Sequence, residues 1–158
     1  MKYERFEDLP VWQDGIQLTV KVFKVTEDKI FRFKGDIANQ MQRAALSVPN
    51  NIAEGFERGT TQELITFLYY ARGSAGEVRS ILAVMEKMPV FECLKAQTLE
   101  LKALAESISR QIRGWTGALQ NTKIEGQRYV TDKSKRIYDN DIKRKEFEEM
   151  LKQYRPKI

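Results

Sequence analysis

LSVPNNIAEGFER, residues 46–58, decides how the chain is read. Leu46, Val48, Ile52 and Phe56 keep a helical beat, yet Pro49 stands among them with Asn50 and Asn51 behind it and Gly55 further on. Working outward, Ile37, Met41, Ala45, Val48, Ile52 and Phe56 recur at steps of three or four without losing phase at the proline. A true break would reset that phase, so the spacing predicts one kinked helix from about Asp36 to Arg58. Pro49 removes an amide donor and presses its ring on the carbonyl of Ala45. Ser47 and Asn50 are placed to hydrogen-bond the loosened backbone, and packing must offset the cost.

The flanking segments follow the same period. Residues 8–27 form a first helix, capped by Asp8, with Pro10 in its first turn and an apolar face of Trp12, Ile16, Leu18, Val20 and Phe23. A loop around Glu27–Gly35 links it to the proline helix. Thr60 with Glu63 is a capping box that opens a third helix. Its stripe of Leu64, Phe67, Leu68, Ala71, Ala75, Val78, Ile81, Leu82, Met85 and Met88 is wide, as for a helix buried on more than one side. The run Gly73-Ser74-Ala75-Gly76 invites close approach by a neighbour, and Pro89 stops the helix. A fourth helix spans about Glu92–Asn121 through Leu94, Gln97, Leu101, Leu104, Ile108, Ile112, Trp115 and Leu119. Nothing reads as a strand. The expectation is an all-α, up-down-up-down antiparallel four-helix bundle over residues 1–121.

Residues 122–158 change character. They carry 11 Lys/Arg against 7 Asp/Glu, a net of +4, whereas residues 1–122 carry 16 against 15, a net of +1. Only residues 141–154 suggest a helix there, with Phe147, Met150, Leu151 and Tyr154 on one face; such a short stripe needs a surface to dock on. The basic excess points to an anionic partner for this tail, against the plainer reading of a solvated tail.

Composition excludes more than it selects. The 158 residues contain no histidine, which removes Ser/His and Cys/His hydrolytic couples, imidazole metal sites and di-iron Glu-x-x-His bundles. The single cysteine, Cys93, cannot form an internal disulfide, so a reducing cytoplasm is expected, with Cys93 a buried small side chain. No apolar run approaches the roughly 18 residues of a membrane span, and MKYERFEDLP lacks a signal-peptide core. Glu54 and Glu57, with Glu63 and Glu77 downstream, resemble a carboxylate set for Mg²⁺, but E-x-x-E is common by chance. No catalysis, metal or cofactor is expected.

Three stretches carry a resemblance: FEDLPVWQDG (6–15), QMQRAALSVPNNIAEGFER (40–58) and FLYYARGSAGEV (67–78). Through them residues 6–120 resemble the 23S rRNA intervening-sequence protein family, whose superfamily includes the accessory variability determinants of diversity-generating retroelements. The resemblance implies a homopentamer of bundles without catalytic activity and, from the retroelement members, an RNA-binding partner of a reverse transcriptase. Its motif falls on Arg43, Ser47, Pro49, Asn51, Ala53, Glu54 and Gly55, with Phe67, Gly73, Ser74 and Glu77 on the next helix.

One physical reading is an architectural polar cluster, in which Glu54 and Glu77 meet Arg43 while Asn51 and Ser74 complete the hydrogen bonds near Ser47. For nucleic acid, RNA or DNA, the candidate contacts are Arg72 and Arg79 on the third helix and Arg110 and Arg113 on the fourth. Lys133, Lys135, Arg136, Lys143, Arg144 and Lys145 extend them along the tail. The competing expectation is a protein-interaction scaffold whose tail docks on a partner protein or a neighbouring subunit.

Overall fold

In a computed structural model of the chain, residues 3–121, 143–145, 147 and 149 are described. Four long helices account for most of them: α1 (Pro10–Thr26), α2 (Gly35–Glu57), α3 (Thr61–Met85) and α4 (Lys95–Gln120). Short 3₁₀ turns at Phe6–Asp8, Lys29–Phe33 and Pro89–Leu94 precede α1, α2 and α4. No strand forms among the described residues. The chain divides into two compact units, Met1–Gly126 and Gln127–Ile158. In the second, Lys143, Arg144, Lys145, Phe147 and Glu149 are helical and exposed; the expected contacts Lys133, Lys135 and Arg136 lie outside the described residues.

Pro49 sits inside one continuous α2. Its missing N–H is the donor that the Ala45 carbonyl would otherwise receive. The replacement comes from another helix: the Thr19 hydroxyl of α1, 2.9 Å from Ala45 O and from its own Gly15 O, shares its proton between them. Ser47 and Asn50 do not serve this carbonyl; Asn50 is exposed, and Asn51 instead donates through Nδ2 to Ser47 O at 2.7 Å. The ring of Pro49 is buried against α1, where a Cβ on Gly15 would stand 3.4 Å from it. That is ordinary van der Waals contact, so Gly15 lies against the ring without being required by it, and the glycine that propensity disfavours by about 1 kcal/mol has no steric explanation here.

That contact lies on the buried side of α1. The buried face is Val11, Gly15, Leu18, Thr19, Val22 and Thr26. Of the expected face only Leu18 is buried; Trp12 is half-buried, and Ile16, Val20 and Phe23 are exposed. A one-position rotation separates the two stripes: Gly15 and Thr19 face Pro49 and Ala45 of α2, and Ile16, Val20 and Phe23 are left outside. Asp8 belongs to the preceding 3₁₀ turn, and Leu9 occupies the N-cap position without a side-chain hydrogen bond.

The remaining cross-helix bonds run in descending register. Thr19 meets Ala45 and Thr26 meets Gln42 between α1 and α2. Gln40 meets Glu77 and Ser47 meets Ser74 between α2 and α3. Glu86 meets Lys102 and Tyr69 meets Gln120 between α3 and α4, while Asp14 meets Gln111 and Lys21 meets Glu100 between α1 and α4. One core runs the length of this unit, with Leu18, Met41, Ile52, Leu68, Leu82, Leu101, Ile108 and Ile112 at its centre. Gln97, expected on the α4 stripe, is exposed; Thr98 takes the buried place. Cys93 is exposed rather than buried, because it lies in the 3₁₀ turn before α4, where Phe91 and Leu94 point inward. No described helix is long and apolar enough to cross a membrane.

Candidate functional site

Helix α3 presents two contrasting flanks. Toward α2 it forms a closed seam. The Ser47 hydroxyl lies 2.8 Å from Asn51 Nδ2 and 3.0 Å from Ser74 Oγ, and Ser74 also reaches Tyr70 O at 3.0 Å. These neutral groups satisfy one another between two helices, so their partial burial costs little. Toward the end of α2 the backbones close up: a Cβ on Gly55 would lie 2.7 Å from Phe67 Cβ. Above that contact Arg58 stacks over the Phe67 ring at 5.0 Å and pairs with Glu54 at 2.6 Å. Its guanidinium is held further in the charged form, chiefly by the Glu54 hydrogen bond.

The charged members of the expected cluster are therefore elsewhere. Glu54 pairs with Arg58 one turn on, and Glu77 accepts from Gln40 Nε2 at 2.6 Å. Arg43 is exposed and makes no ion pair or side-chain hydrogen bond among the described residues. The structure gathers Ser47, Asn51 and Ser74 and leaves the charges on the rim, where water solvates them. Arg58, absent from the expected cluster, is a second charged residue, in addition to Glu77, that ties α2 to α3; its position one turn after Glu54 was the available signal.

The carboxylates considered for Mg²⁺ do not converge. Glu63 accepts from the Thr60 hydroxyl at 2.8 Å, while that oxygen accepts from the Glu63 amide at 3.2 Å. The box closes through hydroxyl and carboxylate at the start of α3. Among the described residues no three Asp, Glu, Cys or His side chains gather as a metal site.

Toward α4 the flank opens into a hollow of about 330 Å³ lined by Arg72, Gly76 and Arg79 of α3 and by Glu106, Ser109, Arg110 and Arg113 of α4. All four bundle arginines singled out from spacing meet here. Residues 72, 76 and 79 share a face at steps of four and three, as do 106, 109, 110 and 113, and the two faces abut. Four guanidiniums stand against the single carboxylate of Glu106, which pairs with Arg110 at 2.9 Å. Arg72, Arg79 and Arg113 have no ion-pair partner among the described residues. Tyr69–Gln120 and Lys102–Glu86 bonds, at 2.8 and 2.6 Å, tie α3 to α4 on either side.

Glycine plays the opposite part here from its part at Gly55. A Cβ on Gly73 or Gly76 would meet nothing within 4 Å. The small run was expected to admit a neighbouring helix, but within the chain only Ala75 is fully buried and Ser74 reaches α2. Gly76 leaves the hollow without a wall on its α3 side.

The sequence model of the family described as 23S rRNA-intervening sequence protein matches residues 7–114, which takes in α1, α2, α3 and most of α4. No curated protein matches the chain. The match covers more than half of the sequence, and the chain belongs to this family.

Proposed function

We propose that this 23S rRNA-intervening sequence protein is a non-catalytic, oligomeric adaptor that binds RNA through the α3–α4 arginine groove. The observation that carries the reading is the groove itself: three unpaired guanidiniums and a fourth paired to Glu106 face one open hollow. Clustered cations of this kind attract phosphate, and the release of counterions supplies the affinity. The descending register of the helix contacts supports an up-down-up-down bundle, with α2 bent at Pro49.

A homopentamer, which the family resemblance implies, would repeat the groove five times and raise avidity through simultaneous contacts. A reverse transcriptase is the protein partner implied by the same resemblance, and the cytoplasm is the expected setting. A second reading, a protein-interaction scaffold, draws support from the apolar residues α1 leaves outside. Ile16, Val20 and Phe23 are 36%, 61% and 41% exposed, beside Leu46 at 44% on α2. Val20 and Leu46 each follow one partner of the Thr19–Ala45 bond, so they flank the same helix contact. Exposed apolar surface of this kind suits a subunit contact.

The test is a salt titration of structured-RNA binding by the full-length, nuclease-treated protein, with light scattering on the same samples. Arg72→Ala, Arg79→Ala, Arg110→Ala and Arg113→Ala should each lower the salt slope by about one, with helicity retained. Absence of binding by the unaltered protein at low salt would remove the nucleic-acid reading. A scattering mass other than five chains would remove the pentamer.

A further inference from the structure

Resting on the RNA-binding reading of the α3–α4 groove, we propose that Tyr69 is a stacking platform for a nucleobase and that the groove takes single-stranded rather than duplex RNA. Tyr69, Arg72, Gly76 and Arg79 follow one another on α3 at steps of three, four and three, so they form one stripe. Along the helix axis the stripe covers roughly 15 Å, at 1.5 Å per residue. That length suits a few nucleotides of an extended strand.

The ring of Tyr69 is set up for this role. It is 44% exposed, and among the described residues it packs against no other aromatic ring. Its hydroxyl accepts from Gln120 of α4 at 2.8 Å, which puts the side chain at the α3–α4 boundary, one turn before Arg72. Tyr70, next in sequence, is committed differently. Its ring meets Phe67 edge-on at 5.7 Å and 86°, and its carbonyl receives Ser74 on the α2 side. Adjacent tyrosines of one helix thus differ in their partners: Tyr70 meets Phe67 of its own helix, whereas Tyr69 reaches Gln120 of α4.

Open space on the neighbouring helix supports the same assignment. Gly117 lies one turn before Gln120 on α4, and a Cβ there would meet nothing within 4 Å. Helical glycine is disfavoured by about 1 kcal/mol relative to alanine, and no packing among the described residues repays it at Gly76 or Gly117. An incoming base and its backbone would use that room.

The choice of single strand follows from where the chemistry sits. Arginines hold phosphates of either form, but an aromatic face needs an unstacked base, which a duplex keeps inside its own stack. An aromatic platform beside a cationic track is the arrangement by which single strands are bound without sequence reading.

The experiment compares binding of a short fluorescein-labelled unstructured RNA with the same RNA annealed to its complement. It uses the full-length protein, Tyr69→Leu, Tyr69→Phe and Arg113→Ala, each checked for unaltered helicity. The expected result is tighter binding of the single strand. Tyr69→Leu should weaken it roughly 5- to 150-fold, the range for loss of one base stack, while Tyr69→Phe stays close to the unaltered protein. Duplex binding should respond to Arg113→Ala and not to Tyr69→Leu. Equal binding of both RNAs, or a Tyr69→Leu protein that binds the single strand normally, overturns the proposal. In either case a loss on Arg113→Ala keeps the RNA-binding reading standing. Failure of the unaltered protein to bind either RNA defeats both.

Discussion

The two flanks of α3 differ in what they leave unsatisfied. Against α2, small polar groups bond one another, Arg58 neutralises Glu54, and Gly55 brings Phe67 close enough that no methyl fits between. Against α4, glycines face open space and arginines outnumber carboxylates. One helix thus carries a seam that is complete within the chain and a groove that is not. Folding explains the first flank. The second leaves Arg72, Arg79 and Arg113 without an ion-pair partner among the described residues, and folding alone does not account for gathering them.

The sharpest way to break this comparison is to make the same substitution on both flanks. Gly55→Ala forces a Cβ to within 2.7 Å of Phe67 Cβ, and overpacking of this kind costs about 1–3 kcal/mol, partly offset by better helix propensity. Thermal or urea unfolding should show a clear loss of stability. Thr19→Val tests the support on the far side of α2. It leaves the buried Ala45 carbonyl without its donor and should cost about 1–3 kcal/mol by the same measurement. In a Pro49→Ala background a backbone amide returns to that carbonyl, so the cost of Thr19→Val should shrink.

Gly76→Ala should have the opposite sign from Gly55→Ala. Nothing obstructs its methyl, so stability should rise by up to about 1 kcal/mol, while RNA binding weakens as the groove narrows. An equal loss of stability in both alanine variants would erase the distinction between the flanks. The smallest effect on stability is expected for Arg72→Ala, within about 0.5 kcal/mol of the unaltered protein, with its consequence confined to RNA binding. Cys93→Ser should be equally silent in unfolding, and the thiol should react with a soluble reagent without denaturant.

Much of the fold was legible because helical period survives local irregularity. The beat through Met41, Ala45, Val48 and Ile52 carried α2 across Pro49, and all four residues are buried. The grouping of the four groove arginines in pairs was also legible, since steps of seven on α3 and three on α4 place each pair on one face. What periodicity could not decide was rotation. Trp12, Ile16, Val20 and Phe23 make as good a stripe as Val11, Leu18 and Val22, and hydrophobicity alone preferred the larger side chains. The partner of the orphaned Ala45 carbonyl was equally hidden, because Thr19 lies 26 residues away in sequence.

The sequence by itself determined four helices, their approximate limits and the absence of imidazole chemistry, because each of these depends on local spacing or on composition. Tertiary structure alone decided which face of α1 is inside, which hydroxyl replaces the missing amide of Pro49, and that charges expected at the α2–α3 seam stay on its rim. It also decided that arginines from two helices share one hollow. Those outcomes depend on how two helices meet: the Thr19 hydroxyl reaches Ala45 O, and Gly55 lets Phe67 approach where no Cβ would fit. Contact distance between helices is a property of pairs of residues far apart in the chain, and no local pattern encodes it.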